Sequence, residues 1–374
     1  MNRKIKLFFG VLVFWFALFL IWEWWKSFPR VRPIPISSAI SEELKLDSVL
    51  SESILHYILP GLSSAVVKDG KIIYLKAFGF ANLETKDSLK IDSRIPVASV
   101  SKIFTALGLA TYLSQKGIAS DDPISVLGLA TVSENKNLSE MSFEELLTHS
   151  SGLKDPDLYQ TILRGRKSID LEDYGEKILE YPRKKSGEKS FEYADTNFDL
   201  IGYLLSKSEK SGFDSILQNS ILDPSGMVGS DFVMEWPEAG NVIAGYHRTF
   251  LWKRLEPKPI RFTSFPSPSS GLVSTAKDMS KALIHLIRGK MGIYQPALNW
   301  LQPNGESIPM GFQSITINGE IWTGHFGGQA GYSSLLIYSE ERETGIFIQF
   351  NAEDKENYRV EIASAILDII SSDF

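Results

Sequence analysis

Runs of residues that favour β-strands occur near both ends of this 374-residue chain, with helical patterns between them. Near the N-terminus, SSAVVKDGKIIYLKAFGFAN (63–82) predicts a hairpin, because Asp69-Gly70 separates two β-rich segments and glycine tolerates a positive φ. Near the C-terminus, three β-rich runs precede a helical pattern over 356–371. This order predicts an α+β fold, with one antiparallel sheet built from both chain ends and an inserted helical region.

The first 26 residues contain an apolar run, LFFGVLVFWFALFLIW (7–22), which has no charge and follows three basic residues. At about 1.5 Å per helical residue the run spans roughly 24 Å, a little less than the apolar core of a bilayer. Tryptophans at its end suit the membrane interface. We expect residues 1–26 to form an uncleaved membrane helix. The alternative is a cleaved signal peptide, whose apolar region is usually shorter.

A stretch with three prolines, SFPRVRPIPISS, follows the apolar run and shows no apolar periodicity. It suits an extended tether, so residues 27–40 are expected to join the membrane helix to one folded domain at 41–374. Because basic residues flank both ends of the run, charge gives only a weak indication of its orientation in the membrane.

The composition is that of a globular protein, with 43% hydrophobic and 22% charged residues. Beyond the first 32 residues, which hold six basic groups and one acid, 33 basic and 44 acidic residues give a net charge of −11. A domain this acidic has no electrostatic footprint for nucleic acid. The chain has no cysteine, so disulfides, thiolate ligands and a cysteine nucleophile are excluded. The five histidines lack metal-ligand spacing, and no metal is expected.

The pattern Ser-x-x-Lys occurs five times, so spacing alone does not identify a catalytic pair; the serines are Ser99, Ser133, Ser151, Ser186 and Ser274. Only Ser99 and Lys102 open a long apolar helix, predicted over 99–117, where side chains three residues apart share a face. Burial there would lower the pKa of Lys102, which could then take a proton from Ser99, and helix N–H groups could stabilise an oxyanion. The alternative is that Ser99 caps the helix and Lys102 is solvated.

Six segments occur in the order found in the serine β-lactamase-related family: VASVSKIFTA, LLTHSSGL, FEYADTNFDLIGYLL, ILDPSGM, SSGLVSTAKDM and GHFGGQAGYSS. The chain therefore resembles this family over roughly residues 55–370. The family includes class C β-lactamases, D-alanyl-D-alanine carboxypeptidases, D-aminopeptidases and β-lactamase-like esterases. The resemblance implies a β-lactamase/transpeptidase-like fold and a serine hydrolase that works through an acyl-enzyme without a cofactor.

The resemblance also implies catalytic roles for three residues. Ser99 matches the nucleophile, Lys102 its partner base, and Tyr193 the tyrosine that passes a proton to the leaving group. Taken alone, Tyr193 would be a core aromatic, although its place just before a predicted helix start is compatible with a cleft. His149, in LLTHSSGL, belongs to the family pattern and is expected to be structural.

The substrate cleft implied by the resemblance contains Asp195, His325 and Gly327, and the backbone N–H groups of Ser99 and Gly328 would stabilise the oxyanion. Two of these residues depart from the lactamase pattern. Asp195 stands where lactamases usually have asparagine, and His325 stands where they usually have lysine. Both changes reduce the attraction for a carboxylate, because imidazole is largely neutral at pH 7 and a carboxylate only accepts hydrogen bonds. We therefore expect a poor β-lactamase that hydrolyses uncharged esters or amides better. The alternative is that Asp195 pairs with Lys102 and is neutralised by it, which would keep the lysine charged and weaken it as a base.

Together these features predict a membrane-anchored serine hydrolase acting on an ester, an amide or a D-amino-acid peptide, from a small molecule or a peptidoglycan-like substrate. Cell-wall-related members of the family act outside the cytoplasm, so the catalytic domain is expected to be periplasmic. Two alternatives remain open. One is a penicillin-binding or sensor-type domain that binds or acylates without turnover, and the other is a domain that uses the fold only as a structural partner.

Overall fold

The computed structural model describes residues 3–26, 41–135, 138–156, 170–181, 190–233, 243–249, 254–258, 267–305 and 308–371. The strands in these ranges are β1 (Gly61–Lys68), β2 (Lys71–Asn82), β3 (Asp87–Ser88), β4 (Ile95–Pro96), β5 (Asp231–Phe232), β6 (Tyr246–Arg248), β7 (Leu255–Pro257), β8 (Leu272–Ser274), β9 (Gln313–Ile317), β10 (Glu320–Gln329), β11 (Tyr332–Ser339) and β12 (Thr344–Phe350). The α-helices are α1 (Arg3–Lys26), α2 (Glu42–His56), α3 (Ser101–Lys116), α4 (Ala130–Ser133), α5 (Phe143–Leu147), α6 (Leu171–Leu179), α7 (Asp195–Glu209), α8 (Phe213–Leu217), α9 (Ala276–Ile287), α10 (Gln295–Leu301) and α11 (Tyr358–Ile370).

A seven-stranded sheet in the order β3-β2-β1-β12-β11-β10-β9 forms the centre of the domain. All its neighbouring strands pair antiparallel, and β1 pairs with β12, with Leu62 opposite Phe350. Two small sheets, β4-β8-β5 and β6-β7, lie outside it. The predicted α+β fold, with one antiparallel sheet from both chain ends around a helical insertion, is confirmed.

The sheet has a separate hydrophobic core on each face because side chains alternate along its strands. Ala65 and Val67 of β1 belong to the core that contains α3 and the other helices of the insertion. Leu62 and Val66 of the same strand belong to the core formed with α2 and α11. The central strands are therefore covered on both sides by helices.

Tight turns explain how the β-rich runs divide into strands. Asp69 (φ 51°) and Gly70 (φ 70°) are both left-handed, as a two-residue hairpin turn requires, and the predicted hairpin is confirmed. The first of the three β-rich runs near the C-terminus is SITINGEIWTGHFGG. It forms two strands, because Asn318 (φ 54°) and Gly319 (φ 79°) make another such turn between β9 and β10.

The long apolar helix predicted from Ser99 starts two residues later. Ala98–Val100 form a 3₁₀ turn, α3 begins at Ser101, and it ends at Gly117, whose φ of 67° gives the left-handed C-cap that the sequence predicts. The placement of Ser99 on the first turn of the α-helix is therefore corrected: Ser99 lies in the turn that enters the helix. The helix itself is buried over most of its length, as its apolar circumference predicts.

The N-terminal helix α1 is long and apolar enough, over Arg3–Trp24, to cross a membrane. This property fits a membrane anchor or a signal sequence. The last turn of α1 contacts the domain, because the Arg254 guanidinium donates to Glu23 Oε1 at 2.8 Å and lies 5.0 Å from the Trp22 ring. The predicted tether, residues 27–40, lies outside the described residues.

Candidate active site

Ser99 lies in the turn between β4 and α3, and buried contacts hold this turn. Ala98 has a φ of 50°, which a residue other than glycine adopts only when its surroundings enforce it. Ser101 Oγ donates to the Ala98 carbonyl at 2.6 Å and accepts from the Leu272 N–H at 3.0 Å. Ser99 is thus fixed by its neighbours against strand β8.

Strand β10 passes close to this turn because a glycine lies at the point of contact. A Cβ atom on Gly327 would be 2.1 Å from the Val97 carbonyl oxygen and 2.2 Å from Ser334 Oγ, so no larger residue fits. Ser334 Oγ donates to the same Val97 oxygen at 2.7 Å. At Gly328 the nearest atom to such a Cβ would be 3.9 Å away. The structure therefore brings the predicted oxyanion residues, Ser99 and Gly328, onto adjacent segments.

Lys102 is the centre of the site and its side chain is 0% exposed. Its Nζ donates to Asp195 Oδ1 at 2.6 Å, to the Ser269 carbonyl at 3.0 Å and to Ser99 Oγ at 3.3 Å. The Tyr193 ring centroid lies 5.1 Å from the same nitrogen. The contact between Ser99 and Lys102 that the spacing predicts is present, and the alternative of a solvated Lys102 is wrong.

The charge on Lys102 differs from the expectation. Burial lowers the pKa of Lys102, but the charge of Asp195, the electrostatic effect of Tyr193 and the hydrogen bonds to both side chains outweigh burial, and the pKa is raised. The expected fall in this pKa is therefore wrong, because a carboxylate 2.6 Å from the amine stabilises its charged form. Lys102 must release a proton before it can accept one from Ser99.

Tyr193 and Asp195 lie at the start of α7, on either side of the N-cap residue Ala194. Tyr193 is 40% exposed, so the interpretation of this residue as a core aromatic is wrong. The side chain of Asp195 is 46% exposed and reaches Lys102 from the first helical position. Both side chains therefore combine access to solvent with contact to the buried lysine.

His325 lies on β10, is 2% exposed, and has its ring 6.4 Å from that of Tyr193. Its Nδ1 is 2.6 Å from the Phe326 carbonyl oxygen. Because a carbonyl only accepts, Nδ1 carries the hydrogen. Burial and the charge of Lys102 lower the pKa of His325 to about 3, against the backbone hydrogen bond, which raises it. The ring is neutral at physiological pH, which agrees with the expectation that this position supplies little positive charge.

The other Ser-x-x-Lys serines lack this environment wherever the structure describes them. Ser133 is exposed. Ser274 is buried in β8, but Lys277, the lysine of its pattern, is exposed. Ser151 is 1% exposed and donates to Asn197, while the lysine of its pattern pairs with a surface glutamate. Ser186 lies outside the described residues.

Arg359 supports the site, although sequence spacing gave no signal for it. Its Nη1 donates to the Gly327 carbonyl at 2.5 Å and to the Ser334 carbonyl at 3.2 Å. Its Nε donates to Asp354 at 2.8 Å, and the side chain of that aspartate is 1% exposed. Arg359 therefore holds β10 and β11 from the start of α11, more than 250 residues after the turn that contains Ser99.

Asp199 is a second supporting residue, and its position could have been noticed because it lies four residues after Asp195 on one helix face. Asp199 Oδ1 accepts from the Ser269 N–H at 3.1 Å, which places the Ser269 carbonyl against Lys102. Burial, with a contribution from Asp195, raises the pKa of Asp199 to about 7. Asp199 thus orders the loop that gives Lys102 its third acceptor.

A cleft of about 310 Å³ opens beside Tyr193 and His325. Its walls are mainly apolar, and none of the described lining residues is a lysine or an arginine. Gly311 has a φ of 85°, and a Cβ there would be 2.7 Å from that of Ala106, so this glycine lets the wall pack against α3. The apolar lining consists of Leu147, Phe191, Pro303, Ile308, Pro309, Met310 and Phe312. Among the residues described, no group of three or more His, Asp and Glu side chains could hold a metal ion.

The antiparallel sheet with its helical insertion, and the buried lysine beside Ser99, define a protein with a serine β-lactamase/transpeptidase-like fold. A family model described as beta-lactamase matches residues 46–370, and the chain belongs to this family. This agrees with the resemblance carried by the six sequence segments.

Individual relatives are distant. Protein flp of Staphylococcus aureus (strain MRSA252) is 23% identical over 319 residues, which cover 82% of this chain and 62% of that protein. The D-aminopeptidase of Brucella anthropi is 27% identical over 184 residues, covering 48% of this chain and 34% of that enzyme. The chain therefore spans less than two thirds of the length of these relatives.

Solved structures show the same fold. The D-amino acid amidase of Ochrobactrum anthropi SV3, complexed with L-phenylalanine amide, superposes with a TM-score of 0.73 at 20% identity and covers 88% of this chain and 99% of the amidase. The octameric penicillin-binding protein homologue of Pyrococcus abyssi gives a TM-score of 0.71 at 23% identity, with 88% and 77% covered. The shared fold thus covers most of this chain.

Proposed function

We propose that this protein is a serine hydrolase in which Ser99 forms an acyl-enzyme. The observation that carries the proposal is the buried Lys102, whose Nζ contacts Ser99 Oγ and Asp195 Oδ1 at once. A fully buried amine held beside one hydroxyl is the arrangement that activates a serine nucleophile. The family match and the D-aminopeptidase relative support hydrolysis in general.

The reaction proceeds in two stages. In the first, deprotonated Lys102 accepts the hydroxyl proton as Ser99 Oγ bonds to the substrate carbonyl carbon, and the N–H groups of Ser99 and Gly328 stabilise the oxyanion. Tyr193 then gives a proton to the leaving alcohol or amine as its bond to the carbonyl carbon breaks. In the second, water attacks the acyl ester and gives a proton to the Tyr193 phenolate, and protonated Lys102 returns a proton to Ser99 Oγ as its bond to the acyl carbon breaks and the acid leaves.

The substrate we propose is an uncharged ester or amide with an apolar acyl group. The mainly apolar cleft beside Tyr193 has the size of a small-ligand pocket. His325 is neutral and Asp195 is a carboxylate, so neither favours an anionic substrate. Because one solved relative is an amidase complexed with phenylalanine amide, amides of apolar amino acids fall within this class.

A comparison of substrates tests this proposal. We expect kcat/KM for a short-chain nitrophenyl ester to exceed that for a chromogenic cephalosporin on the purified domain, because the cephalosporin carries a carboxylate. The D- and L-phenylalanine amides, measured in parallel, show which enantiomer of the amino acid the cleft accepts. A cephalosporin value well above the ester value would contradict the proposal and would point to Arg359, the cation beside Gly328, as a carboxylate ligand.

The same assays distinguish an enzyme from a sensor-type domain. A hydrolase releases acid repeatedly, whereas a domain that only acylates gives one equivalent of product and a lasting adduct. Intact-mass spectra taken during turnover measure that adduct directly. A stoichiometric burst with no later release would favour the penicillin-binding or sensor-type alternative.

We also propose that α1 anchors the catalytic domain outside the cytoplasm. The support is its uncharged run and the tryptophans near its end, together with the contact between Glu23 and Arg254 at the domain surface. In this arrangement the last turn of α1 touches the domain, and no residue of the apolar window of the helix is buried.

Removal of residues 1–32 is expected to give a soluble, folded domain. The cores on both faces of the sheet contain no residue of α1, and Arg254 keeps Glu256 as an ion-pair partner when Glu23 is lost. Membrane fractionation and thermal unfolding of the full-length and shortened proteins measure the outcome. Recovery of the full-length gene product in the soluble fraction, with a new N-terminus near residue 40, would show that the segment is a cleaved signal.

A further inference from the structure

His149 adopts an uncommon backbone conformation directly beside the candidate site. It follows α5, is 6% exposed and has a φ of 54°, in the left-handed region. Such a conformation is costly for a residue other than glycine, and it persists only where surrounding contacts impose it. The sequence predicts only that His149 is structural, and the contacts that impose its conformation identify the residue it supports.

The contacts of His149 converge on Tyr193. The Glu192 N–H donates to the His149 carbonyl at 2.8 Å, and the Ala194 N–H donates to His149 Nδ1 at 3.2 Å. The imidazole ring also stacks on the phenol ring of Tyr193, with centroids 4.4 Å apart and planes 29° from parallel. One residue therefore binds the backbone on both sides of Tyr193 and covers one face of its ring.

The His149 ring is itself held in place from the other side. The Phe198 ring lies 5.3 Å from it, and Asn197 Nδ2 lies 3.2 Å from Nδ1. Because the Ala194 N–H donates to Nδ1, that nitrogen has no hydrogen, and Nε2 carries it. Burial and the charge of Lys102 lower the pKa of His149 to about 4, so the acceptor at Nδ1 persists at physiological pH.

Tyr193 needs such support because its own segment is irregular. Residues 190–194 form neither helix nor strand, and Tyr193 is 40% exposed. A general acid must meet its acceptor within hydrogen-bond reach, and a displacement of about 1 Å can cost about 100-fold in rate. The contacts from His149 remove the freedom that would allow this displacement.

We propose that His149 is a positioning residue that aims the Tyr193 hydroxyl at the leaving group. The proposal rests on the proposed function, in which Tyr193 protonates the departing alcohol or amine. His149 acts through Tyr193, and its effect is confined to the step that uses this proton.

The test compares two leaving groups on one acyl group in His149→Asn. Asparagine tolerates a positive φ and keeps a side-chain acceptor, but it removes the stacked ring. We expect kcat/KM for the primary amide to fall about 100-fold, because the departing amine needs a positioned proton. The nitrophenyl ester should lose much less, because nitrophenolate leaves without one. If His149→Asn does not fold, His149→Gly, which adopts a positive φ freely and loses both the ring and the acceptor, is measured in its place.

Two comparisons make the result specific. His285→Asn removes a histidine that also lies against a tyrosine ring, that of Tyr294 at 5.7 Å, but on α9, outside the site. It is expected to affect the amide and the ester equally. In a Tyr193→Phe background, His149→Asn should cause no further selective loss on the amide, because the group it positions is gone.

The outcomes separate the two proposals. If Tyr193→Phe does not discriminate between the leaving groups, the role of Tyr193 fails and the inference for His149 fails with it. If Tyr193→Phe discriminates but the folded His149 variant lowers both rates equally, only the inference for His149 is overturned. A selective loss on the amide that disappears in the double variant supports it.

Discussion

Ser99→Ala is expected to abolish the hydrolysis of every ester and amide that the wild-type protein cleaves, with kcat reduced by about 10⁶-fold. The variant removes the atom that forms the acyl-enzyme, and the other hydroxyl beside Lys102, that of Tyr193, is the proposed proton donor and not a nucleophile. Steady-state kinetics on a nitrophenyl ester, with thermal unfolding as the check on folding, measure this loss.

The matched control is Ser133→Ala. Ser133 begins another Ser-x-x-Lys pattern, but it is exposed on α4 and should tolerate the change with wild-type activity. Full activity in a folded Ser99→Ala variant would show that the nucleophile lies elsewhere. A loss in Ser133→Ala comparable to that in Ser99→Ala would show that burial of the lysine does not distinguish the catalytic serine from the other serines of the Ser-x-x-Lys pattern.

Asp195→Asn is expected to raise kcat/KM near neutral pH by at least about tenfold, since an opposite charge at this distance shifts a pKa by about 1–3 units. In the wild type, Asp195 helps to raise the pKa of Lys102, so the neutral amine is scarce at pH 7. Below the pKa of Lys102, wild-type activity should therefore rise about tenfold with each unit by which the pH increases. Without the carboxylate the pKa of Lys102 falls, and the rise in activity moves to lower pH.

The measurement is a pH profile of kcat/KM for both proteins, from which the rate of Ser99→Ala is subtracted at each pH. Asp155→Asn is the control, because Asp155 accepts from the Thr196 N–H at the same helix start but does not contact Lys102. Its profile should match the wild type. A fall in the neutral-pH activity of Asp195→Asn, with no shift of the profile, would mean that Lys102 works as a cation and not as a base.

The parts of the fold that follow from local chemistry could be predicted from the sequence. The turn at Asp69-Gly70 and the helix end at Gly117 depend on residues next to one another, and both occur where the sequence places them. The start of α3 could not be placed as well, because the bonds between Ser101, the Ala98 carbonyl and the Leu272 N–H involve a strand 171 residues away.

The candidate site shows the same division between local and distant contacts. The Ser99–Lys102 contact follows from the spacing of three residues, and the structure contains it. The raised pKa of Lys102 depends on Asp195, which is 93 residues away, so the argument from burial alone gave the wrong direction, whereas the alternative of an Asp195–Lys102 pair is the one the structure contains. The place of His149 against Tyr193 likewise arises only when α5 and the segment before α7 come together.

Mass spectrometry of the intact domain after reaction with a broad serine-reactive phosphonate tests the central claim most directly. We expect a single covalent adduct, which peptide mapping places on Ser99, and no adduct on Ser99→Ala. An adduct on Ser133, Ser151, Ser186 or Ser274, or no adduct on a folded wild-type domain, would contradict the assignment of Ser99 as the nucleophile.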